Sequence, residues 1–177
     1  HPLINLHLKT EVTKVDGFVG NFTTTLSSNG QEQVIEHGAS VIATGAQEYK
    51  PAEYAYGQDP RIMTHLEMDQ AFQNQELDPT QVNTAVFIQC VGSREPERPY
   101  CSKVCCTHSL KSALRFKEAN PDCQVVILYR DMRSYGEREL LYKEARQKGV
   151  IFVRFDLDRK PQVAAKEGCI EVSVHDP

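Results

Sequence analysis

Four of the six cysteines in this chain lie in one short window, CVGSREPERPYCSKVCC. They form a C-x10-C-x3-C-C array made of Cys90, Cys101, Cys105 and Cys106, and the last two are adjacent. Thiols concentrated in this way form structural disulfides, bind zinc or hold an iron–sulfur cluster. The start of the chain, HPLINLHLKT, has neither a basic n-region nor an apolar h-region, so no signal peptide is predicted. We therefore expect a cytoplasmic protein, and in that reducing compartment structural disulfides are rare.

The spacing of the four cysteines favours an iron–sulfur cluster over zinc. Structural zinc sites usually pair their cysteines in short C-x2–4-C knuckles, which an adjacent pair fits poorly. We expect Cys101 and Cys105 to lie on one face of a helical turn, with Cys106 beside them and Cys90 reaching in from a strand end. Such an arrangement can direct thiolates at the corners of a cubane. Three basic residues add positive charge to the same loop: Arg94, Arg98 and Lys103. Spacing alone leaves zinc, redox-active thiols and free thiols open.

The elements around this window alternate between strands and helices. NTAVFIQ, CQVVILYR and VIFVRF are predicted strands, while THSLKSALRFKEAN and YGERELLYKEARQKG are predicted helices. This β-α-β-α-β order predicts an α/β fold with a parallel, Rossmann-like half-sheet of the nucleotide-binding type. The cysteine window stands where a dinucleotide-binding unit carries its G-x-G-x-x-G turn. Only Gly92 remains of that turn, so ordinary nicotinamide binding there is not expected. Cys123 and Cys169 fall in strand-like apolar runs and are predicted to be buried free thiols.

The rest of the chain organises into segments before and after this unit. Residues 1–50 are predicted to be β-rich, with strands at LINLHLKTEV and NFTTTLSS and a short strand from Ala39 to Ala43 that exits through Thr44 and Gly45. Residues 51–82 look like a linker with one short helix, which begins at a capping signal formed by Thr64 and Glu67. Residues 83–177 hold the α/β domain and end in a predicted hairpin that turns at Glu167-Gly168.

Composition excludes several classes of partner. The formal net charge is −4 and the pI is near 5.9, which gives no reason to expect nucleic acid or an anionic membrane surface. No apolar run approaches the roughly 18 residues that a membrane-spanning helix needs, so no membrane insertion is predicted. No Ser/His/Asp arrangement or carboxylate pair stands out, and no catalytic residue is assigned.

A second possible binding feature follows the strand CQVVILYR. Tyr129 and Arg130 stand where a dehydrogenase that prefers NAD carries an acidic residue. Arg130 and Arg133 could therefore hold the 2′-phosphate of NADPH. Together with Asp131, they could equally form a solvated ion-pair network. We favour this second interpretation because the phosphate-binding turn is missing.

Taken together, four stretches resemble one known family: TEVTKVDGFVGNF, VIATGA-x4-P, the cysteine window and ILYRDMRSYGERELLYKEARQKGVIFVRF. They resemble the A subunit of heterodisulfide reductase, and they are also similar to the A subunit of the quinone-interacting membrane-bound oxidoreductase complex. The resemblance implies a thioredoxin-reductase-like flavoprotein, of the pyridine nucleotide-disulfide oxidoreductase type, with a split FAD domain. Residues 1–50 would be part of that FAD domain, with Thr44 and Gly45 near the FAD. Cys90, Cys101, Cys105 and Cys106 match the family's ligands to a [4Fe–4S] cluster.

The resemblance also implies a function and a set of partners. Such subunits pass electrons between FAD and iron–sulfur centres, together with other redox subunits, in large cytoplasmic complexes. The family's FAD fingerprint and ferredoxin-like insertion do not appear in this sequence, so we interpret the chain as an internal fragment that is inactive in isolation. Two alternatives stay open at this stage: an NAD(P)H-binding domain that uses Arg130 and Arg133, and a zinc-stabilised interaction module.

Overall fold

The first compact part of the chain is a three-stranded antiparallel sheet. The structure is a computed structural model that describes residues 1–175, and it divides into one unit from His1 to Gln47 and a second that begins at Glu48. In the first unit, β1 (Glu11–Phe18), β2 (Asn21–Ser28) and β3 (Gln31–His37) pair in chain order. Each connection is a two-residue turn, so the sheet forms from contacts between neighbours in sequence.

Two strand predictions in the first unit are wrong. The strand expected from Leu3 begins only at Glu11, and residues 1–10 are irregular. The strand expected from Ala39 to Ala43 is absent, because residues 38–64 contain only turns and irregular backbone. Val41 and Ile42 are 91% and 88% exposed. Their β-branched side chains favour a strand only where a neighbouring strand and a packed face exist, and among the described strands β3 pairs only with β2.

The second unit contains the parallel sheet that the sequence predicts. Helix α1 (His65–Gln73) comes first, and β4 (Thr84–Ile88), α2 (Cys105–Ala119), β5 (Gln124–Tyr129), α3 (Glu139–Gln147) and β6 (Ile151–Arg154) follow. The three strands pair in parallel in the order β4-β5-β6. The α/β class with a parallel sheet is therefore confirmed. The prediction of a hairpin is also confirmed, since β7 (Gln162–Lys166) pairs antiparallel with β8 (Cys169–Ser173).

Local signals fix several element boundaries in this unit. Thr64 caps α1, accepting a hydrogen bond from the Glu67 backbone N–H at 3.3 Å while the Glu67 carboxylate accepts from the Thr64 N–H at 2.8 Å. This reciprocal capping box is the one predicted from the sequence. Asn120 ends α2 as expected. The β7–β8 turn contains Gly168 at φ +80°, a conformation that side chains rarely adopt.

The core of the second unit lies between the parallel sheet and the helices. α2 contributes Leu110, Ala113 and Phe116, and they pack against Val125 and Ile127 of β5. Further apolar side chains from α1, β4 and α3 belong to the same cluster, among them Met68, Phe72, Phe87 and Ala145. β4 and α2, the two elements that flank the cysteine window, are thus both attached to this core.

The two cysteines outside the window differ from each other in burial. Cys123 is fully buried, as predicted. Cys169 is exposed, so the prediction of a buried thiol is wrong there, because it opens β8 in a two-stranded hairpin that leaves it uncovered. Over residues 1–175, no helix combines the length and the apolar character needed to cross a bilayer.

Candidate functional site

The cysteine window forms the connection between β4 and α2, at the carboxyl edge of the parallel sheet. Cys90 follows the strand by two residues, and Cys105 and Cys106 are the first two residues of α2. The expectation that Cys101 and Cys105 share a helical turn is wrong. Lys103 has φ +60°, and Val104 caps the helix without a side-chain hydrogen bond, so the helix begins only at Cys105. Cys101 therefore lies in irregular backbone.

Three of the four thiols of the window make hydrogen bonds to nearby polar groups. The half-buried Cys90 Sγ accepts a hydrogen bond from Arg94 Nη1 at 3.7 Å. Cys101 Sγ accepts from the backbone N–H of Lys103 at 3.3 Å. The buried Cys106 Sγ donates to the backbone carbonyl of Asp131 at 3.8 Å. The sulfurs of the loop are thus bonded to groups of the same loop and of the segment after β5.

The thiols also influence one another's ionisation. Burial raises the pKa of Cys90, an effect that the Arg94 guanidinium opposes. The adjacent pair behaves differently: a hydrogen bond from Cys105 lowers the pKa of Cys106 to about 7, and the same bond raises the pKa of Cys105. Cys106 is therefore the member of the pair that ionises first. The charges of Cys90 and Cys101 act in the opposite direction and raise its pKa, but more weakly.

The four predicted ligands lie in one connection between β4 and α2, but their side chains are not arranged around a common metal position. All six cysteines are free thiols. Within the described residues 1–175, no group of three or more Cys, His, Asp or Glu side chains is arranged to hold a metal ion. As a donor set, four thiols fit an iron–sulfur cluster or zinc equally well. Occupation by either would require the loop side chains to turn towards a common centre.

Arginines collect at the same edge of the sheet, because parallel strands bring their carboxyl ends together. Arg130 follows β5, and its Nη1 donates to the backbone carbonyl of Arg94 at 2.8 Å. Asp131 pairs with Arg94 Nη2 at 2.5 Å. Bonding with Arg94 lowers the pKa of Asp131, to which the charges of Arg133 and Arg154 also contribute. Arg130 and Asp131 thus tie the segment after β5 to the cysteine loop.

Gly92 allows the residue Tyr49 to pack closely on the loop. The Gly92 backbone has φ +61°, and a Cβ atom placed there would lie 2.2 Å from the Tyr49 ring. Arg98 also stacks on this ring, with its guanidinium carbon 4.3 Å from the Tyr49 ring centre. A cleft of about 600 Å³ adjoins these residues, and Tyr54, Glu95 and Lys160 also line it.

A buried polar network at the base of the loop was not predicted from the sequence. The Gln89 amide Nε2 donates to the Ser109 hydroxyl, which is 2.9 Å from Nε2 of His65. The His65 ring stacks on His108 with 4.6 Å between centroids, and His108 lies 3.0 Å from the Asp69 carboxylate. Burial, and next the charge of His108, lowers the pKa of His65 to about 4. The network joins the end of β4, the second turn of α2 and the start of α1.

Two polar atoms beside the cysteines are buried and have no hydrogen-bond partner within residues 1–175. They are the Gln89 Oε1 atom and the Thr107 hydroxyl. Thr107 directly follows Cys106, and Gln89 directly precedes Cys90. Buried hydroxyls are normally hydrogen-bonded, so the Thr107 hydroxyl is an exception in the first turn of α2.

Thr44 and Gly45, predicted to lie near FAD, belong to the first unit. Both are exposed, in irregular backbone that follows β3, and Gly45 has φ +71°. An exposed position of this kind does not by itself form a binding site, so the role of the two residues stays a prediction.

Comparison with curated proteins finds relatives that are A subunits of heterodisulfide reductases. The A subunit of an H2/formate:CoB-CoM heterodisulfide,ferredoxin reductase from Methanococcus maripaludis is 38% identical over 140 residues, which are 70% of this chain and 21% of the relative. The iron-sulfur A subunit of a CoB–CoM heterodisulfide reductase from Methanopyrus kandleri is 35% identical over 135 residues, 67% of this chain and 21% of the relative. The A subunit of a ferredoxin/F420H2-dependent CoB-CoM heterodisulfide reductase from Methanosarcina acetivorans is 31% identical over 171 residues, 82% of this chain and 22% of the relative. No model of a known protein family matches the chain.

These relatives define the class first: they are subunits of oxidoreductases that act on a heterodisulfide, by their names. Over the matched segment, the chain belongs to the family of heterodisulfide reductase A subunits, and the resemblance found in the sequence is confirmed. The chain spans about a fifth of the length of these relatives. The activity, substrates and partners of the whole subunits are therefore considered below as proposals.

Proposed function

We propose that this chain is an electron-relay segment of an FAD- and iron–sulfur-dependent oxidoreductase subunit, with a [4Fe–4S] cluster bound by Cys90, Cys101, Cys105 and Cys106. The observation that carries the proposal is the position of the four thiols. They occupy the connection after the first strand of the parallel sheet, where Rossmann-like units bind the phosphates of a dinucleotide. The anionic cluster would thus occupy the position that the phosphates of a dinucleotide occupy in other Rossmann-like units.

The electrostatics of the loop support an anionic guest. Four cysteine thiolates around a cluster carry net negative charge, and the N-terminus of the 15-residue helix α2 favours negative charge. The guanidinium of Arg94 already bonds to Cys90. The name of the Methanopyrus kandleri relative includes the term iron-sulfur, which supports the proposal.

When bound, the cluster would supply one-electron storage and transfer. The chain's own residues would hold it, exclude water on the side of Cys106 and set the surrounding charge. By resemblance to the family, we also propose Rossmann-like and FAD-type domains, Thr44 and Gly45 near FAD, and cytoplasmic redox partner subunits. The names of the relatives, which mention ferredoxin, F420H2 and hydrogen or formate, support partners of this kind. We propose no catalytic residue, and we expect the isolated chain to be inactive.

Anaerobic reconstitution of the chain with iron and sulfide tests the proposal. We expect the broad visible absorbance of an iron–sulfur protein, and its loss in the Cys→Ala variant at each of the four positions. Cys169→Ala is the matched control, since Cys169 is a free thiol outside the loop and its removal should leave the absorbance intact. Stoichiometric zinc without the chromophore would instead identify a zinc-stabilised module.

The second candidate is an NAD(P)H-binding domain that uses Arg130 and Arg133. The position of Arg130 after β5 favours it, but its guanidinium is bonded to the Arg94 carbonyl. Calorimetric titration with NADPH separates the two functions. Tight binding that is weakened by Arg130→Gln and unaffected by Cys→Ala variants would replace the cluster proposal.

A further inference from the structure

Arg94 makes four hydrogen bonds, two through its backbone and two through its guanidinium group. Its backbone N–H donates to the carbonyl of Tyr100 at 3.2 Å, and its own carbonyl accepts from Arg130 at 2.8 Å. Its guanidinium donates to Asp131 at 2.5 Å and to Cys90 Sγ at 3.7 Å. The side chain is only 15% exposed. All four polar connections of the residue therefore converge on the cysteine loop and the segment after β5.

This placement has a conformational cost. Arg94 has φ +58°, a region that non-glycine residues occupy only at a cost in free energy. Ordering a long arginine side chain also costs rotamer entropy. Arg98, in the same loop, is not among the residues with positive φ, and its exposed side chain stacks on the Tyr49 ring. The loop thus contains one arginine that donates to a thiol and one that packs on an aromatic ring.

We infer that Arg94 sets the reduction potential of the group bound by the cysteines, through its N–H···S bond to Cys90. The inference rests on the proposed function. Reduction adds one electron to the bound group, with no bond formed or broken and no proton moved. Hydrogen bonds to ligand sulfurs stabilise the more negative, reduced state, so they raise the potential. Asp131 acts as a positioning residue, since it fixes the other side of the Arg94 guanidinium.

The test compares three variants of the anaerobically reconstituted chain: Arg94→Gln, Arg94→Lys and Arg98→Gln. The midpoint potential is measured by mediated titration with dithionite, followed by electron paramagnetic resonance. We expect Arg94→Gln to lower the potential with an unchanged spectral type. Arg94→Lys keeps the charge and loses the planar fork, so its potential should lie between those of Arg94→Gln and the unmodified chain. Arg98→Gln removes the same charge from the same loop without removing a hydrogen bond to a thiol, so it should lower the potential less than Arg94→Gln does.

The possible failures are distinguishable. If the unmodified chain takes up no cluster, the proposed function fails and the inference falls with it. If the chain loads and Arg94→Gln shifts the potential no more than Arg98→Gln does, the inference alone is wrong. Should Arg94→Gln fail to fold or load, Arg94→Lys decides: a potential equal to that of the unmodified chain overturns the role of the N–H···S bond.

Discussion

The antiparallel sheet of the first unit and the parallel sheet of the second are stabilised in different ways. In the first unit, Thr24 and Leu26 of β2 are buried, while valines on the neighbouring strands, Val12, Val15 and Val34, stay largely exposed. In the second unit, a contiguous apolar cluster joins three helices to the sheet. Backbone pairing between sequence neighbours dominates the first unit, and long-range side-chain packing dominates the second. The cysteine loop is attached to the packed unit, at the edge of its core.

The largest expected effect is a cavity in the core of the second unit. Leu110 is 0% exposed, and Leu110→Ala should lower the free energy of unfolding by about 3–4 kcal/mol, because it removes buried methylenes and leaves a void. Val34→Ala in the first unit is the counterpart: Val34 is 61% exposed, and the loss should stay below about 0.5 kcal/mol. Urea unfolding followed by circular dichroism measures both. Equal losses would contradict the contrast between the units.

Acid should weaken the second unit through His65. Its folded-state pKa of about 4 lies below the ordinary value of 6.5, so the unfolded chain binds more protons between these values. Stability is fully present above pH 6.5 and is lost as the pH falls through 4, by up to about 3 kcal/mol. The charged neighbours that modify this are His108, Asp69 and Glu48.

Hydrogen exchange at pH 7 and pH 5, followed by mass spectrometry, locates this acid effect. Faster exchange at the lower pH, after correction for the intrinsic rate, should appear in α1 and α2. His65→Gln should reduce that acid effect, while His7→Gln, at an exposed position of the first unit, should not. An acid effect that is unchanged in His65→Gln would assign it to other groups.

Gly92→Ala should destabilise the second unit by about 2 kcal/mol. The added Cβ atom requires an unfavourable positive φ and collides with the Tyr49 ring. Gly168→Ala is the matched control, because Gly168 also has a positive φ but open space around it, and its loss should be about 1 kcal/mol. Thermal unfolding measures both variants. If the collision with the ring causes the extra loss, Gly92→Ala should cost only about 1 kcal/mol, as Gly168→Ala does, when it is introduced into a Tyr49→Ala background.

A smaller loss of stability than that of Gly92→Ala is expected at the cap of α1. Thr64→Ala removes the side-chain acceptor of the Glu67 N–H and should cost about 1 kcal/mol. Thr64→Ser keeps the hydroxyl and should retain most of the stability. Both are compared by the midpoint of urea unfolding. A Thr64→Ser variant as unstable as Thr64→Ala would show that the threonine methyl group, and not the cap, matters at this position.

Sequence patterns predicted the features of this fold that depend on near neighbours. The capping box at Thr64, the end of α2 at Asn120 and the hairpin turn at Gly168 each depend on residues a few positions apart. The parallel order of β4, β5 and β6 followed from alternating strand and helix patterns. The family relationship was also apparent from the motifs, because they are specific and span most of the chain.

The features that the sequence did not predict depend on distant partners. The strand predicted around Val41 does not form, because no described strand of its unit pairs with it. Composition alone cannot indicate whether such a partner exists. The network of Gln89, Ser109 and His65 joins residues 20 and 44 positions apart, so no local pattern reveals it. The start of α2 at Cys105 depends on the left-handed Lys103, which separates Cys101 from the helix. The assignment of the four cysteines to a cluster stays a prediction.

Because α2 begins at the adjacent cysteines, the two ends of the loop differ in stiffness: Cys105 and Cys106 lie in a helix, and Cys101 lies in irregular backbone. Cys105 and Cys106 continue directly into a helix anchored by the fully buried Ser109 and Leu110. Cys101, by contrast, is followed by exposed residues, Ser102 and Lys103. A load on this loop, from a docking protein or from a change in charge, would therefore deform the Cys101 side and leave the paired thiols in place.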